Sequence, residues 1–334
     1  MKFKTLSLAL CLGLATLSPA AVAQHATSTA AFDARADAGL PFDAWVTQGD
    51  QAPALVTVLE RLETVIDLPD GTTGTVYLAE VDGRGATLVR AGDRIALTMD
   101  DTPPAPAAGR GARHRRFADS IPIDWAGLDD LITRPGDGEE EEELFAPGDG
   151  SRALHVWLYI HDDAGENDHA KVLSWYAAWW IRDMEKTVRP GVPIRVSLRA
   201  RVPGVTNLAY HQGSREDRIL ELAKAARDDV KARGEPVTPL TRYVLLVGKP
   251  AASWGAGTFG LAIEQSGAAL ISNHGHRHVF AHEVGHLLGA THEAAEDRWN
   301  CVTNMGPMVL FKVACRVYTK ANDQNIRDYI GRRK

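Results

Sequence analysis

The residues best able to do chemistry lie in one short segment, HEVGHLLGATH. Residues four apart in a helix lie one turn apart on the same face, so His282 and His286 can direct both imidazoles at one metal ion. Glu283 lies beside the first histidine, within reach of a water molecule at such an ion. Gly289 tolerates the positive φ that ends a helix, and the reversal brings His292 back as a third ligand. Three imidazoles with one open position are typical of a catalytic zinc site.

Three more histidines, His274, His276 and His278, alternate just before this segment. A lone histidine is more often a packed or exposed residue than a ligand. We therefore expect these three to be exposed in the turn that enters the helix. The alternative is a second metal site or a proton relay.

Alternating strands and helices precede the histidine segment from residue 151 onward. Alternating apolar residues predict strands, and spacings of three and four residues predict helices whose first residues are capped by Asp168 and Ser214. We expect the second helix to turn Ile219, Leu220, Ala223, Ala226 and Val230 inward. The β-α-β-α-β order implies parallel neighbouring strands joined by right-handed crossovers. The predicted strands are 154–160, 194–198, 243–247, 259–263 and 268–272.

The first 23 residues have the pattern of a signal peptide. Two lysines are followed by the apolar stretch 6–17, which is too short to span a bilayer, and by the small residues Ala21 and Ala23. We predict cleavage after Ala23; an uncleaved hydrophobic anchor is the alternative. We expect a secreted protein, and retention in the periplasm stays open.

Two regions separate the signal peptide from the residues of the histidine domain, 151–334. Residues 24–102 predict a small β-rich region with turns at Asp-Gly pairs. Residues 103–150 contain a proline-rich start, a basic cluster and the acidic run 139–143, which is typical of a charged linker. We interpret 24–102 as a propeptide, with a stable accessory domain as the alternative, and expect the mature enzyme to begin between Arg116 and Ser151.

The composition argues against two classes of interaction, with nucleic acids and with the membrane interior. The chain has 334 residues, 37 basic and 43 acidic, and a net charge of −6, which argues against nucleic-acid binding. There is no apolar run of 18 residues, so we expect no stable membrane insertion, and we expect a monomer.

Removal of the signal peptide leaves Cys301 and Cys315, which in an exported protein predict one disulfide, with two free thiols as the alternative.

The histidine segment resembles the signature of the metzincin zinc metalloproteases, HExxHxxGxxH followed by a Met-turn. The sequence CVTNMGP at 301–307 is similar to that turn, and residues 279–283 resemble bacterial secreted metalloendopeptidases of the reprolysin type. The resemblance covers residues 153–331. It implies an α/β fold: a twisted, mixed five-stranded sheet, an active-site helix and a smaller C-terminal subdomain.

The resemblance also implies roles for individual residues. One Zn²⁺ would be held by His282, His286 and His292, with Glu283 as general base and Met305 as the floor beneath the metal. The edge strand with Gly260, Leu261 and Ala262 would bind an extended protein or peptide substrate, and residues 308–313 would wall the pocket beyond the scissile bond. The turn carries Gly306-Pro307 where some relatives have a tyrosine, so no tyrosine ligand is expected.

These residues predict a secreted zinc endopeptidase. Two alternatives remain: an exported zinc hydrolase of a non-peptide amide, and a non-catalytic metal-binding interaction protein. The resemblance to a Met-turn argues against the first. Glu283 argues against the second, because a purely structural metal site has no use for a base.

Overall fold

A computed structural model describes residues 26–47, 52–99, 153–255, 257–299, 301–306 and 313–333. The predicted signal peptide and linker lie outside these residues, as does nearly all of the predicted pocket wall at 308–313. Among the described residues, no helix is both long enough and apolar enough to cross a membrane.

The described chain is a mixed α/β structure. Helix α1 (Thr29–Ala38) comes first, and α2 covers residues 169–188 as four consecutive segments, two α-helical and two π-helical. The remaining α-helices are α3 (Arg215–Ala232), α4 (Val279–His286) and α5 (Lys320–Arg333), and two short 3₁₀ helices cover Asp162–Ala164 and Ala252–Trp254. The strands are β1 (Phe42–Val46), β2 (Ala54–Arg61), β3 (Val65–Asp67), β4 (Thr73–Val81), β5 (Arg84–Ala91), β6 (Arg94–Met99), β7 (Leu154–Ile160), β8 (Ile194–Ala200), β9 (Thr241–Val247), β10 (Gly260–Ile263), β11 (Ala268–Ser272), β12 (Cys301–Val302) and β13 (Val313–Ala314).

Eleven strands form one mixed sheet in the order β1-β2-β4-β3-β8-β7-β9-β11-β10, with β5 and β6 continuing from β4. The four strands β8, β7, β9 and β11 are parallel, and β10 is an antiparallel edge. The alternation of strands and helices predicted this direction for β7, β8 and β9; the direction of β11 was not predicted. The sheet is larger than the five-stranded sheet predicted, because β3 of the N-terminal region pairs with β8. Sequence patterning does not reveal pairing between such distant segments.

Helices cover both faces of the parallel part of the sheet. Successive side chains of a strand point to opposite faces, so Val156 and Leu158 of β7 pack in one cluster with α2 and α4. Trp157 and Tyr159 pack on the other face with α3. Burial on both faces explains the nearly continuous apolar sequence of β7.

The predicted caps are present. The side chain of Asp168 accepts a hydrogen bond from Lys171 N (3.1 Å), and Ser214 Oγ accepts one from Asp217 N (3.1 Å). One inward residue of α3 was predicted wrongly: Leu220 is 53% exposed, and Leu222 is fully buried. Leu222 continues the helical stripe three residues after Ile219, whereas Leu220 lies about 100° away from Ile219 around the helix.

Candidate metal centre

Two of the three predicted ligands lie on α4, and the third follows the turn that ends it. The side chains of α4 are buried around His282, which fixes the helix in the core. Gly289 has φ +77°, as expected for the residue that reverses the chain. An added β-carbon at Gly289 would meet the Tyr329 ring at 3.1 Å, so space as well as backbone conformation favours glycine here.

The three imidazoles converge through their Nε2 atoms. The distances are 3.2 Å between His282 and His286, 3.0 Å between His286 and His292, and 3.0 Å between His292 and His282. Nitrogens bound about 2.0–2.1 Å from one tetrahedral zinc ion lie about 3.3–3.4 Å apart. The histidines therefore fit a zinc ion with little movement.

The protonation of His282 also fits a metal ligand. Burial lowers its pKa to about 3, helped by the nearby His292, so the ring is neutral. Its Nδ1 donates to the backbone oxygen of Asn304 at 2.8 Å, which leaves a lone pair on Nε2. A second hydrogen bond that orients the ring in this way is usual for histidine ligands. Burial likewise holds the pKa of His286 well below its ordinary value.

Glu283 lies between α4 and the edge strand β10. It is buried, and burial raises its pKa to about 8. An added β-carbon at Gly260 would overlap the Glu283 carboxylate and would lie 2.6 Å from Val279 Cγ2. Glycine at 260 thus leaves the space that this carboxylate occupies.

Met305 lies directly beneath α4 and is fully buried. An added β-carbon at Gly285 would lie 2.5 Å from its Sδ and 3.0 Å from the Tyr318 ring. The small residue between the two helical histidines therefore lets the methionine approach the helix. Tyr318 OH also donates to Ala281 O on α4 (2.5 Å).

A buried arginine holds the end of α4. Arg242 donates to Leu287 O (2.7 Å) and to Tyr329 OH on α5 (2.6 Å). Sequence patterning did not predict the buried position of Arg242, because an arginine in a strand ordinarily points to solvent. The contacts of Asn304, Tyr318 and Gly260 were also missed, since each depends on segments distant in sequence.

The remaining residues singled out in the sequence lie on β10 and in the segment just before α4. Gly260, Leu261 and Ala262 lie on β10, the end strand of the sheet, which among the described strands pairs only with β11. His278 was expected to be exposed and is instead buried, because it directly precedes α4 and packs against His282 at a ring distance of 6.4 Å. His274 and His276 are exposed.

Cys301 and Cys315 form the predicted disulfide. The parallel pairing of β12 with β13 places Cys301 opposite Val313 and Val302 opposite Ala314, which brings the two cysteines together with their Cα atoms 5.0 Å apart. The bond encloses the turn that carries Asn304 and Met305.

Comparison with known proteins gives a likeness of fold. No protein-family profile and no curated protein matches the sequence. The crystal structure of metalloproteinase-II from Bacteroides fragilis is similar, with a TM-score of 0.50, 13% identity, and coverage of 87% of this chain and 92% of that one. A chaperone–substrate complex matches with a TM-score of 0.32, 12% identity, and coverage of 85% and 49%, which is too weak to carry an argument. The chain thus has a metalloprotease-like fold.

Proposed function

We propose that this protein is a secreted zinc endopeptidase of the metzincin type. The observation that carries the proposal is the convergence of three histidine Nε2 atoms beside a buried glutamate. The likeness of fold to a metalloproteinase supports it. In the proposal, His282, His286 and His292 hold the metal and Met305 packs beneath the helix that carries two of them.

A zinc ion bound here supplies Lewis acidity, which lowers the pKa of water and polarises a carbonyl group. The positive charge of a bound zinc ion would oppose the effect of burial and favour the ionised form of Glu283. In the proposed reaction, that carboxylate accepts a proton from the attacking water and returns it to the leaving amine. Asn304 O orients the His282 ring, and Gly260 leaves room for the carboxylate of Glu283. The buried surroundings strengthen the electrostatic interactions of this carboxylate.

The substrate in this proposal is an extended polypeptide. The end strand β10 has its outer edge unpaired among the described strands, beside Glu283. An extended peptide can add to such an edge through main-chain hydrogen bonds, which places a peptide bond near the histidines. Residues Gly260, Leu261 and Ala262 would form those bonds.

The proposal is tested by casein cleavage with wild-type protein and Glu283→Ala at equal zinc content. Loss of a general base lowers the rate by about 10²–10⁴-fold, so the variant is expected to bind zinc and not cleave. Glu221→Ala, which removes an exposed partner of Arg218 on α3, is the control and should cleave normally.

Other outcomes distinguish the alternatives. If Glu283→Ala cleaves like the wild type, the proposed base is wrong. If neither protein cleaves, the linker is cut and the assay repeated. Zinc binding without cleavage after that step would support a non-catalytic metal-binding protein, and turnover of a small amide but not of casein would support a non-peptide hydrolase.

A further inference from the structure

The outer edge of β8 is covered by the N-terminal region. Strand β3 lies parallel to β8, with Val65 opposite Arg195, Ile66 opposite Val196 and Asp67 opposite Ser197. This pairing makes one continuous sheet from the two regions. An uncovered strand edge presents unpaired N–H and C=O groups and invites aggregation, so β3 protects β8.

The side chains along this junction are matched to one another. Asp67 Oδ2 accepts from Arg195 Nε (2.6 Å) and from Ser197 Oγ (2.8 Å). Arg195 also donates from Nη1 to Glu235 (2.9 Å). Because the Ser197 proton goes to the carboxylate, His155 Nε2, 2.8 Å away, is the donor to Ser197 Oγ.

A glutamate of α2 binds the backbone just before β3. The Glu185 carboxylate accepts from Glu63 N (3.0 Å), Thr64 N (2.8 Å) and Thr64 Oγ1 (2.6 Å). At the C-terminal end of the N-terminal region, Met99 O accepts from Arg316 Nη1 (2.8 Å). The region is thus held at its middle and at its C-terminal end by residues distant in sequence.

The two regions also share one apolar core. Ile66, Val76 and Val89 of the N-terminal region are fully buried in the same cluster as β7, α2 and α4. Removing the N-terminal region would expose this part of the core to water, which is unfavourable in proportion to the apolar surface exposed. The junction resembles the inside of one domain more than a surface between two.

This junction is far from the edge strand proposed to bind substrate. Between β3 and β10 lie β8, β7, β9 and β11, so the two strands are about 24 Å apart at the usual spacing of about 4.8 Å. A region that binds there can remain in place without covering β10.

We propose that residues 27–99 are a permanent structural partner of residues 153–333, and that they stay bound after the chain is cut between 116 and 151. The surface that holds them is the β8 edge together with the apolar patch beside it. The N-terminal region is then a non-covalent subunit of the mature protein, not a propeptide that is released.

The test uses the full chain with a specific protease site inserted after Gly138. The purified protein is cut after folding and run on size exclusion at micromolar concentration. We expect both fragments to elute together, to separate only in denaturant, and to unfold in a single transition. Elution as two separate species under native conditions would overturn the proposal.

Two variants test whether the hydrogen bonds of Glu185 to the backbone before β3 hold the fragments together. In the cut protein, Glu185→Ala should lower the urea concentration at which the fragments separate, because Glu63 N and Thr64 N lose their acceptor. Glu221→Ala should leave it unchanged. Equal urea concentrations for both variants would contradict the proposed surface. The readout is association, so it is independent of metal binding and of peptidase activity.

Discussion

Buried histidines lie near both ends of the strand series β8-β7-β9-β11-β10, and their contacts differ. We call these two ends the β8 side and the β10 side. Near β10, His282, His286 and His292 bring three Nε2 atoms to one point. Near β8, His155 donates to Ser197, which in turn donates to Asp67, so that each group meets a complementary partner. Both groups are largely buried, and neither is distinguished by its residue types alone.

The difference lies in what the ring nitrogens face: Ser197 near β8, and other imidazole nitrogens near β10. Buried polar groups are ordinarily hydrogen-bonded, and the chain from His155 to Asp67 meets that requirement without any added group. In the other group, three Nε2 atoms lie 3.0–3.2 Å from one another, an arrangement that could hold a metal ion. The β8 side therefore stabilises the fold, and the histidines near β10 form a candidate ligand site.

The largest effect is expected on the β10 side, for a variant that should lose peptidase activity and still bind zinc. In Gly260→Ala the new β-carbon overlaps the Glu283 carboxylate and displaces it. A displacement of about 1 Å in a catalytic group can cost about 10²-fold in rate. We expect kcat/KM on a peptide substrate to fall by about that factor, with zinc content measured by atomic absorption unchanged.

Gly331→Ala is the matched control, because an added β-carbon there meets no atom within 4 Å. It should leave both zinc content and kcat/KM unchanged. If Gly260→Ala retains wild-type activity, Glu283 does not need the space that this glycine leaves, and its proposed role is weakened.

A smaller effect is expected on the β8 side, in stability and not in activity. Asp67→Ala removes the acceptor of Arg195 and Ser197. Hydrogen bonds to charged groups contribute about 1.5–3 kcal/mol, and solvent screening lowers that here because Arg195 is one-third exposed. We expect the free energy of unfolding in urea to fall by about 1–2 kcal/mol.

Zinc content of Asp67→Ala should stay at the wild-type level, and Glu221→Ala should change stability by less than about 0.5 kcal/mol. A loss of zinc in Asp67→Ala without a loss of stability would show that the two sides of the sheet are coupled. The distinction between a ligand site and a structural junction would then be wrong.

The sequence predicted local features well and long-range pairing poorly. The spacing of His282, His286 and His292 encodes their convergence, since helix periodicity and one glycine turn determine it. The capping residues Asp168 and Ser214 act within a few positions of themselves. By contrast, the β3–β8 pairing joins segments about 130 residues apart, and Asn304, Arg242 and Gly260 owe their importance to contacts across the fold. Periodicity carries no information about such contacts.

The free energy of unfolding should depend on pH through His155, the first member of the hydrogen-bonded series His155–Ser197–Asp67. Burial, assisted by the charges of Arg195 and Arg199 and opposed by that of Asp67, lowers the pKa of His155 to about 3. Its ordinary value is 6.5, so between about pH 6.5 and 3 the unfolded chain binds a proton that the folded protein does not. Stability therefore falls as the pH decreases through that window, by up to about 1.4 kcal/mol per pH unit from this group.

His155→Gln keeps a donor for Ser197 Oγ and removes the titration. Urea unfolding of both proteins from pH 6.5 to 5 should show a steeper loss of stability in the wild type, while the other titrating groups contribute equally to both. Parallel curves would mean that His155 is protonated in the folded protein. In that case the ring would carry a positive charge beside Arg195, and the complementary pairing described for the β8 side would be wrong.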